Sequence, residues 1–148
     1  MSDLGDLYQE MILDHSRHPH NYRALENANR KAEGYNPLCG DQITVYLNVQ
    51  DDRIYDITFE GQGCAICKAS ASVMTETVKE KTTTQAQDLF VKFHSLVTEG
   101  HADQLAADDK MSVFSGVSEY PTRVKCAILA WHTLKSALEG QKAKVSTE

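Results

Sequence analysis

The segment running from Gln42 to Glu60 limits the fold more than any other part of the chain. Ile43, Val45, Leu47 and Val49 alternate with Gln42, Thr44, Tyr46 and Asn48. After the turn Gln50-Asp51-Asp52-Arg53, residues Tyr55, Ile57 and Phe59 alternate with Asp56, Thr58 and Glu60. Successive side chains of a strand point to opposite faces, so each run has one apolar face to bury and one polar face to leave in water. Two such runs around a short polar turn predict an antiparallel hairpin ending at Gly61-Gln62-Gly63. A lone hairpin cannot cover its own apolar face, so amphipathic elements must come from elsewhere in the chain.

Helices supply that cover. Leu4, Leu7, Tyr8, Met11 and Ile12 recur at helical spacing behind Ser2 or Asp3 as caps, and this helix should stop before Pro19. From Cys64 to about Lys81 a run rich in Ala and Ser predicts a helix that approaches the sheet closely. Thr84 and Gln87 read as a capping box for a helix with the stripe Ala86, Leu89, Phe90, Phe93, Leu96 and Val97. Pro121 suits the first turn of a last helix, whose stripe is Val124, Ala127, Ile128, Trp131, Leu134 and Leu138. Residues 21–37 read as an extended connection with room for one short edge strand, 100–118 as an irregular insert or short helix, and the tail after Gly140 as frayed. A chain of 148 residues is one domain, 1–148, long enough to hold an apolar core without covalent staples.

That size makes the four cysteines optional for stability, and four in 148 residues fall far short of a disulfide scaffold. Free thiols in a reducing, cytoplasmic compartment are the expectation. The net charge of −6 has the wrong sign for nucleic-acid binding. No apolar run approaches the ~18–20 residues of a membrane span, and the first residues carry acids where a signal peptide would carry bases.

The thiols do not fall where filler cysteines fall. Cys39 lies in the turn Pro37-Leu38-Cys39-Gly40-Asp41, where Gly40 lets the Cys39 and Asp41 side chains converge. Cys64 follows Gly61-Gln62-Gly63 near a helix start, where the macrodipole favours thiolate over thiol. Cys126 lies off the centre of the last helix's stripe and is expected to face away from the main core. Three boundary thiols and a carboxylate point to a shared metal or sulfur site. Zn²⁺ prefers four tetrahedral ligands of this kind, and Cys39, Asp41, Cys64 and Cys126 would supply them, with Arg123 and Lys125 offsetting the negative charge. Cys67 leaves an alternative open, because Cys64-x-x-Cys67 at a helix start is also the spacing of a redox pair or half a zinc ribbon. His15, His18 and His20 are spaced so that they could bind metal, but Pro19 favours a solvated helix end. His94, His101 and His132 stand alone and read as surface or satisfied polar residues. No phosphate loop, Ser/His/Asp arrangement or HExxH motif is present.

Taken in order, Gly34-Tyr35-Asn36-Pro37-Leu38-Cys39-Gly40-Asp41, Phe59-Glu60-Gly61-Gln62-Gly63-Cys64-Ala65-Ile66, Ala69-Ser70-Ala71-Ser72-Val73-Met74 and Arg123-Val124-Lys125-Cys126-Ala127 resemble the iron–sulfur scaffold family of IscU, SufU and the NifU N-terminal domain. Lys125 before the third cysteine, where IscU-type members carry His, and the insert at 100–120 resemble the SufU branch. Cys67 departs from the pattern, since members usually have a small or hydroxyl residue there. The resemblance implies an α+β fold, with a small antiparallel sheet of about three strands packed against several helices, and Zn²⁺ held by Cys39, Asp41, Cys64 and Cys126. It implies a sulfur acceptor for a pyridoxal-phosphate cysteine desulfurase of the SufS kind. The desulfurase would offer a His to the zinc, and Cys39, with Asp41 tuning the exchange and Arg123 supporting the charge, would take the persulfide sulfur and pass it toward SufBCD. The alternative is an IscU-like scaffold assembling a [2Fe–2S] cluster on the same residues.

Overall fold

The computed structural model describes residues 3–100, 110–140 and 145–146. In chain order the elements are α1 (Asp3–Arg17), β1 (Arg30–Asn36), β2 (Asp41–Gln50), β3 (Arg53–Gln62), α2 (Ala65–Val78), α3 (Thr83–Glu99), a 3₁₀ helix (Lys110–Glu119), α4 (Pro121–Leu138) and β4 (Val145–Ser146). The strands order β3-β2-β1-β4: β1, β2 and β3 are antiparallel, and β4 lies parallel to β1 at its outer edge.

The hairpin forms where the alternation places it. Only Asp51 and Asp52 separate β2 from β3, with φ of 53° and 61°. Two central residues with positive φ give the turn whose twist matches that of the flanking strands. Val45, Leu47, Ile57 and Phe59 are buried on the face that receives the helices. The edge strand at 21–37 is fuller than expected, with seven residues paired in register from Arg30↔Leu47 to Asn36↔Asp41. The tail after Gly140 is not wholly frayed, because Val145 and Ser146 pair with Gly34 and Tyr35 and so engage the backbone groups that β1 leaves open.

Two helix boundaries move for one reason. The Glu80 N–H donates to Ile54 O at 2.7 Å, the Ile54 N–H donates to Lys81 O at 2.8 Å, and Thr82 bridges Arg53. This pairing beside β3 ends α2 at Val78 instead of Lys81. It also holds Thr82 extended, so the capping box forms between Thr82 and Gln85, two residues before the Thr84 and Gln87 pair that the sequence suggested. In the insert, Lys110–Glu119 is an ordered 3₁₀ helix that buries Met111, Val113, Phe114 and Val117, whereas 101–109 lie outside the described residues. In α1, Met11 and Ile12 pack against the core; the side chains of Leu4, Leu7 and Tyr8 lie outside the described ones.

The last helix is the centre of the molecule. α4 packs on β1 and β2 on one side and on α2, α3 and the 3₁₀ helix on the others, so it is buried nearly all round and not along one stripe. Phe93 stacks on Trp131 at 4.7 Å between centroids, and Phe114 meets Phe93 edge-on at 5.5 Å. Where α4 crosses β1 the approach is too close for a side chain: a Cβ on Gly34 would lie 2.1 Å from Thr133 Oγ1.

Candidate metal centre

Four separate elements deliver the expected ligands to one end of α4. Asn36 and Asp41 face each other across the β1–β2 pair, and the intervening turn is closed by the Gly40 N–H donating to Asn36 O at 2.9 Å. Gly40 has a φ of +72°, a left-handed conformation that strains any side chain. The turn exposes Cys39 at its tip and turns Asp41 inward to full burial. Cys64 is the N-cap residue of α2, and its backbone N–H donates to Asp41 Oδ1 at 2.9 Å. Cys126 lies in the second turn of α4, with its Sγ 3.3 Å from Cys39 Sγ.

The donor atoms of Cys39, Asp41 and Cys126 all lie within 4.8 Å of one another. Tetrahedral zinc with Zn–S near 2.3 Å separates its sulfurs by about 3.8 Å. The observed thiol spacing is within half an ångström of that, and two thiols with a buried carboxylate are donors zinc accepts, so the residues fit the ion. Cys64 stands outside this trio but is bound to it. The hydrogen bond from the Cys126 thiol, opposed by burial, pulls Cys64 down to about 6, and the same bond with burial pushes Cys126 up. The place of Cys64 at the N-terminus of α2 likewise favours its thiolate form. The exposed guanidinium of Arg123 lies against both sulfurs, and its pKa is raised by Cys64 first and Cys126 next.

Two placements differ from the sequence expectations, those of Cys126 and of the histidines around the end of α1. Cys126 does not face away from the core: it is buried, because α4 packs on the sheet on one side and on α2, α3 and the 3₁₀ helix on the others. Cys67 is buried one turn into α2, with its thiol pushed well up by burial and then by the charge of Asp41, and it is not one of the clustered donors. The histidines around the end of α1 are only in part the solvated helix end expected. His15 is buried against Ser72, and His20, though exposed like His18, pairs with Glu76, because the chain past Pro19 folds back along α2. His94 and His132 pack around the Phe90 ring, and His101 lies outside the described residues.

Two residues of the site had no role assigned from sequence. Asn36 is fully buried; its Nδ2 donates to Asp41 Oδ2 at 3.2 Å and lies 3.6 Å from Cys126 Sγ, and its Oδ1 accepts from the Leu38 N–H at 3.3 Å. One amide thus orients the carboxylate, a thiol and the turn that carries Cys39. Gly63 leaves room for the carboxylate, since a Cβ there would stand 2.4 Å from Asp41 Oδ1. The only sequence signal for either was position, directly before Pro37 and directly before Cys64.

Comparison with known proteins gives the same family from three directions. The family model for the NifU-like N terminal domain matches residues 7–148. The iron-sulfur cluster assembly scaffold protein IscU of Streptococcus pyogenes serotype M1 is 34% identical over 94% of this chain and 87% of its own length. The zinc-dependent sulfurtransferase SufU of Bacillus subtilis is 34% identical over 93% of this chain and 92% of its own. The crystal structure of a putative iron-sulfur cluster assembly scaffold protein for the SUF system from Fervidobacterium islandicum superposes with a TM-score of 0.79 at 36% identity, covering 87% of this chain and 94% of that one.

Proposed function

The chain belongs to the NifU-like N-terminal domain family of iron–sulfur cluster assembly proteins, and from that premise we propose that it is a zinc-dependent sulfur acceptor whose nucleophile is Cys39. The observation that carries the reading is the asymmetry of the cluster. Asp41 and Cys126 are buried and Cys64 is half-buried at a helix cap, whereas Cys39 is exposed on a glycine-hinged turn. Bound zinc would keep its thiolates deprotonated and damp their attack on electrophiles. Cys39 is the thiolate able to swing out without disturbing a helix. Its sulfur attacks the terminal sulfur of a persulfide on the donor enzyme, forming Cys39–S–S and releasing the donor's cysteine thiolate. Arg123 compensates the negative charge left on Cys64 and Cys126. The supply is a pyridoxal-phosphate cysteine desulfurase of the SufS type and the acceptor a SufBCD-like scaffold; the charge of −6 and the absence of a long apolar helix among the described residues accord with protein partners.

Metal analysis together with mass spectrometry after mixing with desulfurase and cysteine tests this. The expected result is one thiolate-bound zinc per chain and an added sulfur of about 32 Da on Cys39, lost in Cys39→Ser with the fold intact. Anaerobic reconstitution that yields a stable [2Fe–2S] cluster in place of zinc, or full stimulation of the desulfurase by the metal-free protein, would overturn it.

A further inference from the structure

The far end of α2 carries a second constellation that sulfur transfer does not use. His15, His20 and Glu76 each present one donor atom, and these three atoms lie within 4.8 Å of one another. Glu76 stands twelve residues beyond Cys64 on the same helix, about 18 Å away at 1.5 Å per residue, so this is not a rim of the thiolate site. One hydroxyl organises it. Ser72 Oγ accepts the backbone N–H of His20 at 2.8 Å and lies 2.8 Å from Nδ1 of the buried His15. In the tautomer with its proton on Nδ1, His15 donates to Ser72 and leaves the Nε2 lone pair facing Glu76 Oε1 at 3.9 Å. A hydrogen-bond acceptor on the far ring nitrogen is the usual way a metal-binding histidine is oriented. His20 Nδ1 lies 2.6 Å from Glu76 Oε2, and the two imidazole rings are 4.7 Å apart between centroids.

We propose that His15, His20 and Glu76 form a second metal site, for a zinc-class divalent cation bound by two imidazoles and a carboxylate. Ligand atoms at zinc distances stand about 3.4 Å apart. The 3.9 Å separation must close slightly, by a small shift of the Glu76 carboxylate, and the 2.6 Å one must open, which His20, nearly half exposed, is free to do. Burial, outweighing the pull of Glu76, lowers the pKa of His15 and keeps its imidazole neutral and able to ligate near pH 7. The cation has a resident competitor: Lys110 Nζ lies 3.1 Å from Glu76 Oε1. Lys110 is half exposed and can return to water at little cost. Three protein ligands leave a coordination position open to water, as catalytic and exchange sites do and structural ones do not. Occupancy would clamp the end of α1 and the turn after it to α2.

The test is a Zn²⁺ titration of the full chain near neutral pH, with Co²⁺ as a spectroscopic probe. Cobalt on thiolates gives a sulfur-to-metal charge-transfer band and cobalt on the histidine site does not, so the two sites are counted separately even if the thiolate site proves empty. The expected result is one equivalent without the thiolate band, weakened at least about tenfold in His20→Ala and in Glu76→Gln. Lys110→Ala discriminates further. If Glu76 only holds an ion pair, the variant gains no metal affinity; if the lysine competes with a cation, binding tightens severalfold. Saturable binding confined to the thiolate band, or a second equivalent unchanged in both ligand variants, would overturn the proposal.

Discussion

Replacing Gly63 with alanine isolates the contact between Asp41 and the start of α2. The φ of Gly63 is not in the left-handed range, so the backbone tolerates alanine and the effect is steric. The added Cβ would sit 2.4 Å from Asp41 Oδ1 and 3.0 Å from Cγ, against the 3.4 Å at which ordinary contact begins. The carboxylate must therefore retreat by about 1 Å (3.4 − 2.4). Movement away from Gly63 also takes Oδ1 away from the neighbouring Cys64 N–H, now at 2.9 Å. A hydrogen bond to a charged group contributes about 1.5–3 kcal/mol, roughly ten- to 150-fold in an equilibrium constant. Zinc affinity, read by competition with a chromophoric chelator, should fall within that range, while Gly116→Ala, with nothing within 4 Å, should leave it unchanged. The double variant supplies the refutation. If Gly63→Ala weakens zinc binding as much in an Asp41→Ala background as alone, the loss does not pass through the carboxylate and the reasoning fails.

Cys67→Ala should leave one thiolate-bound zinc per chain, because the thiol is buried in the core away from the clustered donors; metal content falling to half or less would return Cys67 to the ligand set. His132 has its pKa lowered by burial and by the neighbouring His94 and Lys135, so the folded state resists a proton that the unfolded chain accepts below about 6.5. Its stabilising contribution is complete above that pH and is lost as pH falls toward the depressed folded value. His132→Gln should flatten the decline of Tm between about pH 7 and pH 5, and an unchanged acid slope would contradict it.

What could be read from the residues divides along physical lines. The hairpin was legible because alternation over 43–49 and 55–59 is a local property, and α3 was legible because its stripe meets the core on one side. The burial of α4 was not, since a helix enclosed by a sheet, two helices and a 3₁₀ segment buries Cys126, Thr133 and Ser136 as well as its apolar stripe. The thiols and Asp41 stood out by position and by resemblance to a family. Asn36 did not, because its role depends on a register that sets it opposite Asp41 and on a helix arriving ninety residues later. The same applies to His15 and His20, whose partners Ser72 and Glu76 lie more than fifty residues on.

The Cys39–Cys126 contact joins residues 87 positions apart, and chain connectivity gives that span a further meaning. A cross-link across such a span restricts the unfolded chain by about 4–5 kcal/mol in the loop-closure picture. With Cys64 as a further ligand of the proposed zinc, the span would divide into consecutive loops of 25 (64 − 39) and 62 (126 − 64) residues. In the proposed transfer, release of Cys39 to collect sulfur would open only the smaller loop, and the 62-residue closure between Cys64 and Cys126 would persist. Under that proposal the arrangement would separate the strand of the knot that must come undone in each cycle from the strand that keeps the molecule tied.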